Sequence, residues 1–366
     1  MIIAVPRERK EAERRVAITP HGAAMLTSKG HRILVEKNAG LLSGFSNEEY
    51  KHSKCEIIPT LEELWSKAEL LLKVKEPSPE ELQYFREDLA VFSFLHPAAA
   101  PDMTKALVEK KVLGIDYDLV MTDDGRMPIL EPMSAIAGKL SVQIGANLLQ
   151  ANKNGKGVLL GGVAGVKPAK VLVLGAGVAG VNAAKIALGM GAEVVVCDIN
   201  TQRLEQFTSG FLKAKTIYST PKNIKSEVID TDLIIGSVLI PGALSPILIT
   251  KEMLKLMRPG SVIVDISIDQ GGIAETSRPT KITEPTYIEE DIIHYCVPNM
   301  PALVPQTSTM ALTNATLYWL DKIATLGLDK FYEIKELKKS IVSYRGNITN
   351  KRIAEALKMS YKEFSK

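Results

Sequence analysis

The chain holds only three cysteines, Cys55, Cys197 and Cys296, widely scattered and without a CxxC pair. That number and spacing argue against a disulfide framework and against a thiolate zinc site, and fit a reducing compartment. Charge of one sign is scarce too. The net charge of +3 carries no basic stripe or aromatic-interleaved cluster, so nucleic acid is not an expected partner. No apolar run is long enough to span a bilayer: Lys167, Pro168, Lys170 and Lys185 interrupt the region from Val158 to Val196. The first residues reverse a secretory signal, with a brief apolar run giving way to the charged stretch Arg7 to Arg15. Internal repeats and low-complexity segments are absent. A soluble, cytoplasmic protein is expected. Its 366 residues suffice for two domains, and 46% apolar residues can fill their cores.

Short β-rich runs alternate with helical patterns almost throughout, which predicts an α/β fold with mostly parallel sheets. In the first third, Ile2 to Val5, Ile33 to Val35, Leu70 to Val74, Leu89 to Phe94 and Val112 to Ile115 read as strands. Helical patterns at Pro20 to Lys29, Thr60 to Lys67 and Ala100 to Lys110 lie between them. Met133 to Gln150 reads as a helix linking domains, followed by a glycine-rich loop, Gly155 to Gly165. Further strands are expected at Leu233 to Val238, Val262 to Ile266 and Ile293 to Val297. A helix at Lys251 to Met257 stops at Arg258-Pro259-Gly260. Thr307 to Leu326 is again helical, and the charged tail from Ile334 to Phe364 also reads as helix. The pattern predicts two doubly wound domains. A domain of residues 130–304 is inserted into a discontinuous one, residues 1–129 and 305–366.

The most informative stretch is residues 171–198, VLVLGAGVAGVNAAKIALGMGAEVVVCD. A strand, Val171 to Leu174, feeds the glycine turn Gly175-Ala176-Gly177-Val178-Ala179-Gly180; a helix and a second strand, Val194 to Val196, follow, ending near Asp198. This is the context that a dinucleotide fingerprint requires, so residues 130–304 read as a nucleotide domain of Rossmann type and the discontinuous domain as the substrate domain. Gly175 permits the tight turn, Gly177 lets backbone approach a pyrophosphate, and Gly180 lets the helix pack on the sheet. The diphosphate would sit at a helix N-terminus, where unpaired N–H groups favour negative charge. A carboxylate at Asp198 can accept both ribose hydroxyls and would repel a 2′-phosphate, favouring NAD(H) over NADP(H). The plain alternative is a glycine-rich turn with no ligand.

Other groups carry candidate chemistry. Arg15, in Arg14-Arg15-Val16-Ala17, can grip a carboxylate through two parallel hydrogen bonds, or be a solvated loop arginine. In Lys73-Val74-Lys75-Glu76-Pro77, alternation puts Lys73 and Lys75 on one strand face, so either could point into a cleft or into solvent. His96 closes the strand Val91 to Leu95, placed for proton transfer near neutral pH or as a structural histidine. In the string Val264 to Gly272, Asp265 reads as structural. Asp269, beside two glycines, reads as facing the nicotinamide end of a cleft.

With these residues the chain resembles the alanine dehydrogenase family, which includes the soluble nucleotide-binding part of proton-translocating transhydrogenase. The resemblance runs from Met1 to about residue 326. It rests on Ile3 to Pro6 with Glu11 to Pro20, Val74 to Pro77, Phe94-Leu95-His96, Pro132-Met133-Ser134 and the fingerprint through Asp198. Val238 to Gly242, Asp265 to Gly272, Ser277-Arg278-Pro279, Asn299-Met300-Pro301, Thr307-Ser308-Thr309 and Leu312 to Thr316 complete it. The resemblance implies that Arg15 and Lys75 hold the substrate carboxylate and polarise its oxo group. It makes His96 the acid/base and Asp269 a second catalytic group. Ser134, Val178, Ala179, Asp198, Arg203, Ser219, Val238, Leu239, Ile266, Ser267, Ile268, Asp269, Arg278, Val297, Pro298, Asn299 and Met300 match the family's NAD contacts. It further implies a homo-oligomer, commonly a hexamer.

Three departures stand out. Asp118 replaces a usual glutamate, Ala135 and Lys139 replace an acid and an arginine, and Pro241-Gly242-Ala243-Leu244 lacks a frequent lysine. A magnesium pair that some relatives carry falls on Lys322 and Leu326, which cannot ligate it, so no metal is expected. The implied activity is reversible oxidative deamination of L-alanine to pyruvate and ammonia, with domain closure as a gate. Alternatives are a transhydrogenase subunit, a dehydrogenase for another amino or imino acid, and a non-catalytic NAD-binding protein. Phe94-Leu95-His96 and Cys197-Asp198-Ile199-Asn200 favour the dehydrogenase pattern over the transhydrogenase one.

Overall fold

The computed structural model describes residues 1–211, 214–240 and 244–365. The chain divides into two compact units, Met1–Met133 with Ala302–Lys366, and Ser134–Pro301. The first segment supplies β1 (Ile2–Val5), β2 (Arg32–Glu36), β3 (Glu56–Ile58), β4 (Leu70–Lys75), β5 (Ala90–Phe94) and β6 (Leu113–Asp116). The inserted unit holds β7 (Lys170–Leu174), β8 (Glu193–Asp198), β9 (Lys215–Tyr218), β10 (Leu233–Gly236), β11 (Val262–Asp265), β12 (Thr286–Glu289) and β13 (Ile292–Tyr295). β14 (Ile341–Tyr344) and β15 (Asn347–Ile348) return to the first unit.

The first sheet runs β15-β14-β6-β5-β4-β1-β2-β3, and the second β12-β13-β11-β10-β7-β8-β9. Each unit begins in the middle of its sheet, winds outward to one side, then returns and winds to the other. The reversals lie between β1 and β4, and between β7 and β10. Pairing is parallel except at β6–β14, β14–β15 and β12–β13. Strands such as β7, β10 and β11 are buried along their whole length, which is why they read as unbroken apolar runs rather than alternating ones. Side chains of Thr19, Ser46, Thr60, Asn200, Thr220, Thr250 and Asn350 accept first-turn backbone N–H groups and so fix where helices begin. Among the described residues no helix is long and apolar enough to cross a membrane.

The tail corrects one expectation. Residues 334–364 are not one helical region: β14 and β15 separate the helices Lys335–Lys339 and Lys351–Leu357. Charge hides the short run Ile341-Val342-Ser343-Tyr344, which buries Ile341 and Val342 by adding antiparallel to β6. Arg345 and Gly346, both at positive φ, then turn the chain tightly into β15. Ser343 fixes this edge, accepting from the Gly114 amide at 3.0 Å and donating to the Val112 carbonyl at 2.9 Å. β3, β9 and β12, of three or four residues each, are further strands that the sequence patterns did not single out.

Candidate active site

Open parallel sheets bind ligands outside the carboxyl ends of the strands flanking a reversal point. In the first unit those strands are β1 and β4, and the sequence-expected groups lie at their carboxyl ends and at that of the neighbouring β5. Arg15 sits in the loop after β1, where its side chain is 2% exposed. Glu13 takes two parallel bonds from it, Nε to Oε1 at 2.7 Å and Nη2 to Oε2 at 2.6 Å. Nη1 reaches the Met133 thioether at 3.1 Å. The two-pronged grip expected for a substrate is thus made by a neighbouring carboxylate. The loop itself is pinned to the helix Pro305–Leu326. The Val16 amide donates to Thr309 Oγ1 and the Thr19 amide to Thr313 Oγ1, while Ser43 Oγ donates to the Arg14 carbonyl. The Thr307–Thr309 and Leu312–Thr316 strings therefore brace the arginine loop from within the same unit.

Of the two lysines on β4, Lys73 is fully buried against Glu81 at 3.0 Å and Glu8 at 3.5 Å. It does not point into solvent or into an open cleft. Burial opposes its charge, but the two carboxylates outweigh burial and raise its pKa. Lys75 ends the strand and pairs in register with Phe94 of β5. Glu8 accepts from both the Val74 amide, at 2.7 Å, and the Lys75 amide, at 3.3 Å. Burial pushes the Glu8 carboxyl up to about 7, against the pull of Lys73 and with help from Glu13.

His96 follows β5 at the same sheet edge, with a backbone φ of 43° that few residues other than glycine adopt. A carboxylate lies at each ring nitrogen: Glu76 Oε2 is 3.3 Å from Nδ1, and Asp118 Oδ2 is 3.5 Å from Nε2. Glu76 also pairs with Lys10 at 2.6 Å. Burial works against its charge, yet His96 and Lys10 hold the carboxyl down at about 2. Beneath them Asp116 is buried and accepts from the Leu95 and Asp118 amides, both at 3.2 Å. Burial, then Asp118, pushes its carboxyl up to about 7.

The inserted unit carries the second set. Gly175 turns at φ 105°, and a Cβ there would lie 2.7 Å from the Ser237 carbonyl. A Cβ on Gly180 would lie 1.8 Å from the Gly175 carbonyl, so helix and turn touch backbone to backbone. At Gly177 a Cβ would meet nothing within 4 Å. Gly177 is the N-cap of the helix Val178–Gly189, which has no side-chain cap. Space and uncapped N–H groups at one place suit an anion. Asp198, at the end of β8, accepts from the Ala176 amide at 2.6 Å and the Asn200 amide at 2.7 Å. These groups fit a dinucleotide: a cradle for a diphosphate and a carboxylate for ribose hydroxyls.

The remaining positions lie on other elements of the same unit. Ser134 lies in the helix Glu131–Leu148, which packs closely on the fingerprint helix: a Cβ on Gly138 would lie 2.0 Å from the Ala179 carbonyl. The Ser219 amide donates to the Asp198 carbonyl, Arg203 is exposed, and Leu239 is 45% exposed beyond β10. Ser267 Oγ donates to the Val238 carbonyl at 2.9 Å. Asp265 is tied up by the Ser267 and Ile273 amides and by Ser277 Oγ, at 3.0, 2.8 and 2.6 Å. Asp269 is exposed on the short turn Ile266–Gln270. Arg278 lies over the Tyr287 ring at 3.8 Å. Val297 and Met300 are buried, Pro298 is half-buried, and Asn299 has a φ of 59°. The departure at Pro241-Gly242-Ala243 falls outside the described residues. Lys322 and Leu326 line a cavity of about 660 Å³ with Lys29, His31 and Asp321, a donor set that does not suit a magnesium ion.

Comparison with known proteins bears on both sets. The family models described as Alanine dehydrogenase/PNT, N-terminal domain, and Alanine dehydrogenase/PNT, C-terminal domain, match residues 4–137 and 141–351. The chain belongs to the alanine dehydrogenase/PNT family. Its similarity to the family's alanine dehydrogenases is high along the whole length. It is 48% identical to that of Bacillus subtilis over 365 residues, 99% of this chain and 96% of the relative. It is 47% identical to that of Staphylococcus saprophyticus over 364 residues, 99% and 98% of the two chains. A solved L-alanine dehydrogenase superposes with a TM-score of 0.95 at 41% identity, covering 98% of this chain and 99% of that one. A transhydrogenase from Sinorhizobium meliloti, 24% identical with a TM-score of 0.82, shares the fold.

Sequence reasoning gave no role to Glu8, Glu13 or Glu76. A signal existed for Glu13: an acid two residues before an arginine, in a loop too apolar afterwards to leave that arginine in water. Nothing in the sequence marks Glu8, because its partners Lys73 and Glu81 come more than sixty residues later.

Proposed function

We propose that this member of the family is an NAD-dependent dehydrogenase that interconverts L-alanine with pyruvate and ammonia. The observation that carries the reading is at the first sheet's carboxyl edge. Lys75 ends β4, and His96 follows the adjacent strand with a carboxylate at each ring nitrogen. In this reading the first unit is the substrate domain and the inserted unit the nucleotide domain. Gly175, Gly177, Val178, Ala179 and Gly180 would hold the NAD diphosphate and Asp198 its adenosine ribose. When bound, NAD supplies hydride acceptance.

The chain's own residues handle charge and protons. Arg15, its plane fixed by Glu13, neutralises the substrate carboxylate. Lys75 draws electron density from the imino or oxo group, which favours water's attack at that carbon. His96 takes the proton from the attacking water and returns it to the departing amine, Glu76 and Asp118 stabilising the cationic ring. Asp269 is the second group assigned to proton movement. By resemblance the assembly is a cytoplasmic homohexamer, which light scattering on the purified chain checks. The activity is tested by following NADH absorbance with NAD and a panel of L-amino acids. Turnover with alanine is expected. Turnover with a different amino acid alone reassigns the substrate, and none with any amino acid leaves a nucleotide-binding protein.

A further inference from the structure

β4 does not finish as a regular strand. Its register on β5 shifts between Leu72 and Lys75, so Lys73 and Val74 have no partner residue there. On the other side, its pairing with β1 stops at Leu71. The last residues of β4 thus leave the ladder just before the lysine that the proposed function needs. Two successive amides, Val74 and Lys75, turn instead to one acceptor, the Glu8 carboxylate. That pattern marks a bulge, a device that re-aims a side chain at a strand end.

We propose that Glu8 is a positioning residue for Lys75: its carboxylate replaces the missing strand partner at the β4 bulge and sets where the Lys75 side chain leaves the sheet. The inference rests on the proposed function only in giving Lys75 a substrate to meet. The groups facing Glu8 come from four elements. Lys73 lies on β4, Glu81 on the turn Pro79–Tyr84, Glu13 in its own loop, and Tyr117 on the turn after β6. Glu8, Glu13, Glu81, Lys73 and Arg15 all have side chains at most 2% exposed. Burial, against the pull of Lys73 and with help from Glu13, brings protonation of Glu8 to near neutral pH. Protonation weakens both amide bonds, because hydrogen bonds to a charged acceptor are about twice as strong as neutral ones. Acidification through about 7 therefore loosens the bulge.

The test compares the full-length protein with Glu8→Gln and Glu8→Asp. The first readout needs no catalysis: the rate at which Lys75 is reductively methylated, mapped by mass spectrometry from about pH 6 to about pH 9. In the wild type the rate, corrected for exposed lysines in the same sample, should change through neutrality. In Glu8→Gln that change should vanish, and Glu8→Asp should restore it in part. The second readout is steady-state kinetics. Glu8→Gln should raise KM for L-alanine roughly tenfold or more at about pH 8, with a smaller change in kcat. Wild-type KM should climb towards the variant's value as pH falls. Identical Lys75 labelling in wild type and both variants would overturn the proposal, whichever amino acid the enzyme uses. A wild type that turns over no amino acid overturns the functional reading instead and leaves the labelling result standing. If Glu8→Gln does not fold, labelling in Glu8→Asp that matches the wild type at every pH overturns the proposal.

Discussion

Replacing Lys73 by Met removes the cation that, among the described residues, faces both Glu8 and Glu81, while keeping most of the side chain's volume. Both carboxylates, each at most 2% exposed, lose the partner they are within 3.5 Å of. Breaking a buried pair by deleting one member costs about 3–5 kcal/mol, because the survivor stays out of water uncompensated. The cost depends on pH, and its sign follows from Glu8. Its folded pKa of about 7 already lies above the ordinary 4.5, a rise worth about 3 kcal/mol. Loss of Lys73 raises the folded pKa of Glu8 further. A group whose pKa is raised by folding keeps its stabilising contribution below the unfolded value and loses it as pH climbs through the folded value. The variant should therefore lose less near pH 5 than at about pH 8, the Glu8 share of the loss growing as pH climbs past about 7. Urea unfolding followed by tryptophan fluorescence reads this directly, since Trp65 and Trp319 are the chain's two tryptophans and both lie in the first unit. Adding Glu81→Gln should recover part of the loss. A loss equal at both pH values, or under about 1 kcal/mol at high pH, would refute the reasoning.

His96→Ala should cut kcat by roughly 10²–10⁴-fold while leaving the NAD dissociation constant unchanged, as titration calorimetry would show. Gly177→Val should keep the melting temperature, because a Cβ there meets nothing within 4 Å, yet abolish NAD binding. Gly180→Ala should do the opposite in kind, lowering the melting temperature through a Cβ placed against the Gly175 carbonyl. Arg15→Lys cannot form the parallel pair with Glu13, so kcat/KM for alanine should fall by about 10–100-fold.

The strands of both sheet centres and the fingerprint were legible because each is a local pattern: unbroken apolar runs, and glycines at fixed offsets before a helix. The tail was not, since four residues of strand between lysine-rich helices look like helix until β6 supplies a partner. Site chemistry divides in the same way. Lys75 and His96 could be placed at strand ends from sequence, and Asp198 from its distance to the glycines. Most of the supporting carboxylates could not. Glu13 could have been, standing two residues before Arg15, whereas Glu76 and Asp118 on His96, and Glu8 under Lys75, are facts of tertiary packing. The sequence shows such residues only as charged loop, which is also how a solvated surface reads.

The insertion of one unit into the other has a consequence for synthesis. Residues 1–133 carry Arg15, Lys75 and His96, but the helix that pins the Arg15 loop and the strand that closes the sheet against β6 come from beyond residue 301. A ribosome adding about 5–20 residues per second needs roughly 10–30 s to make the stretch between. During that interval the nascent N-terminal segment exposes the open flank of β6, a hydrogen-bonding edge available to any passing strand. The inserted unit can complete itself first, so chaperone dependence should concentrate on the half that was translated earliest.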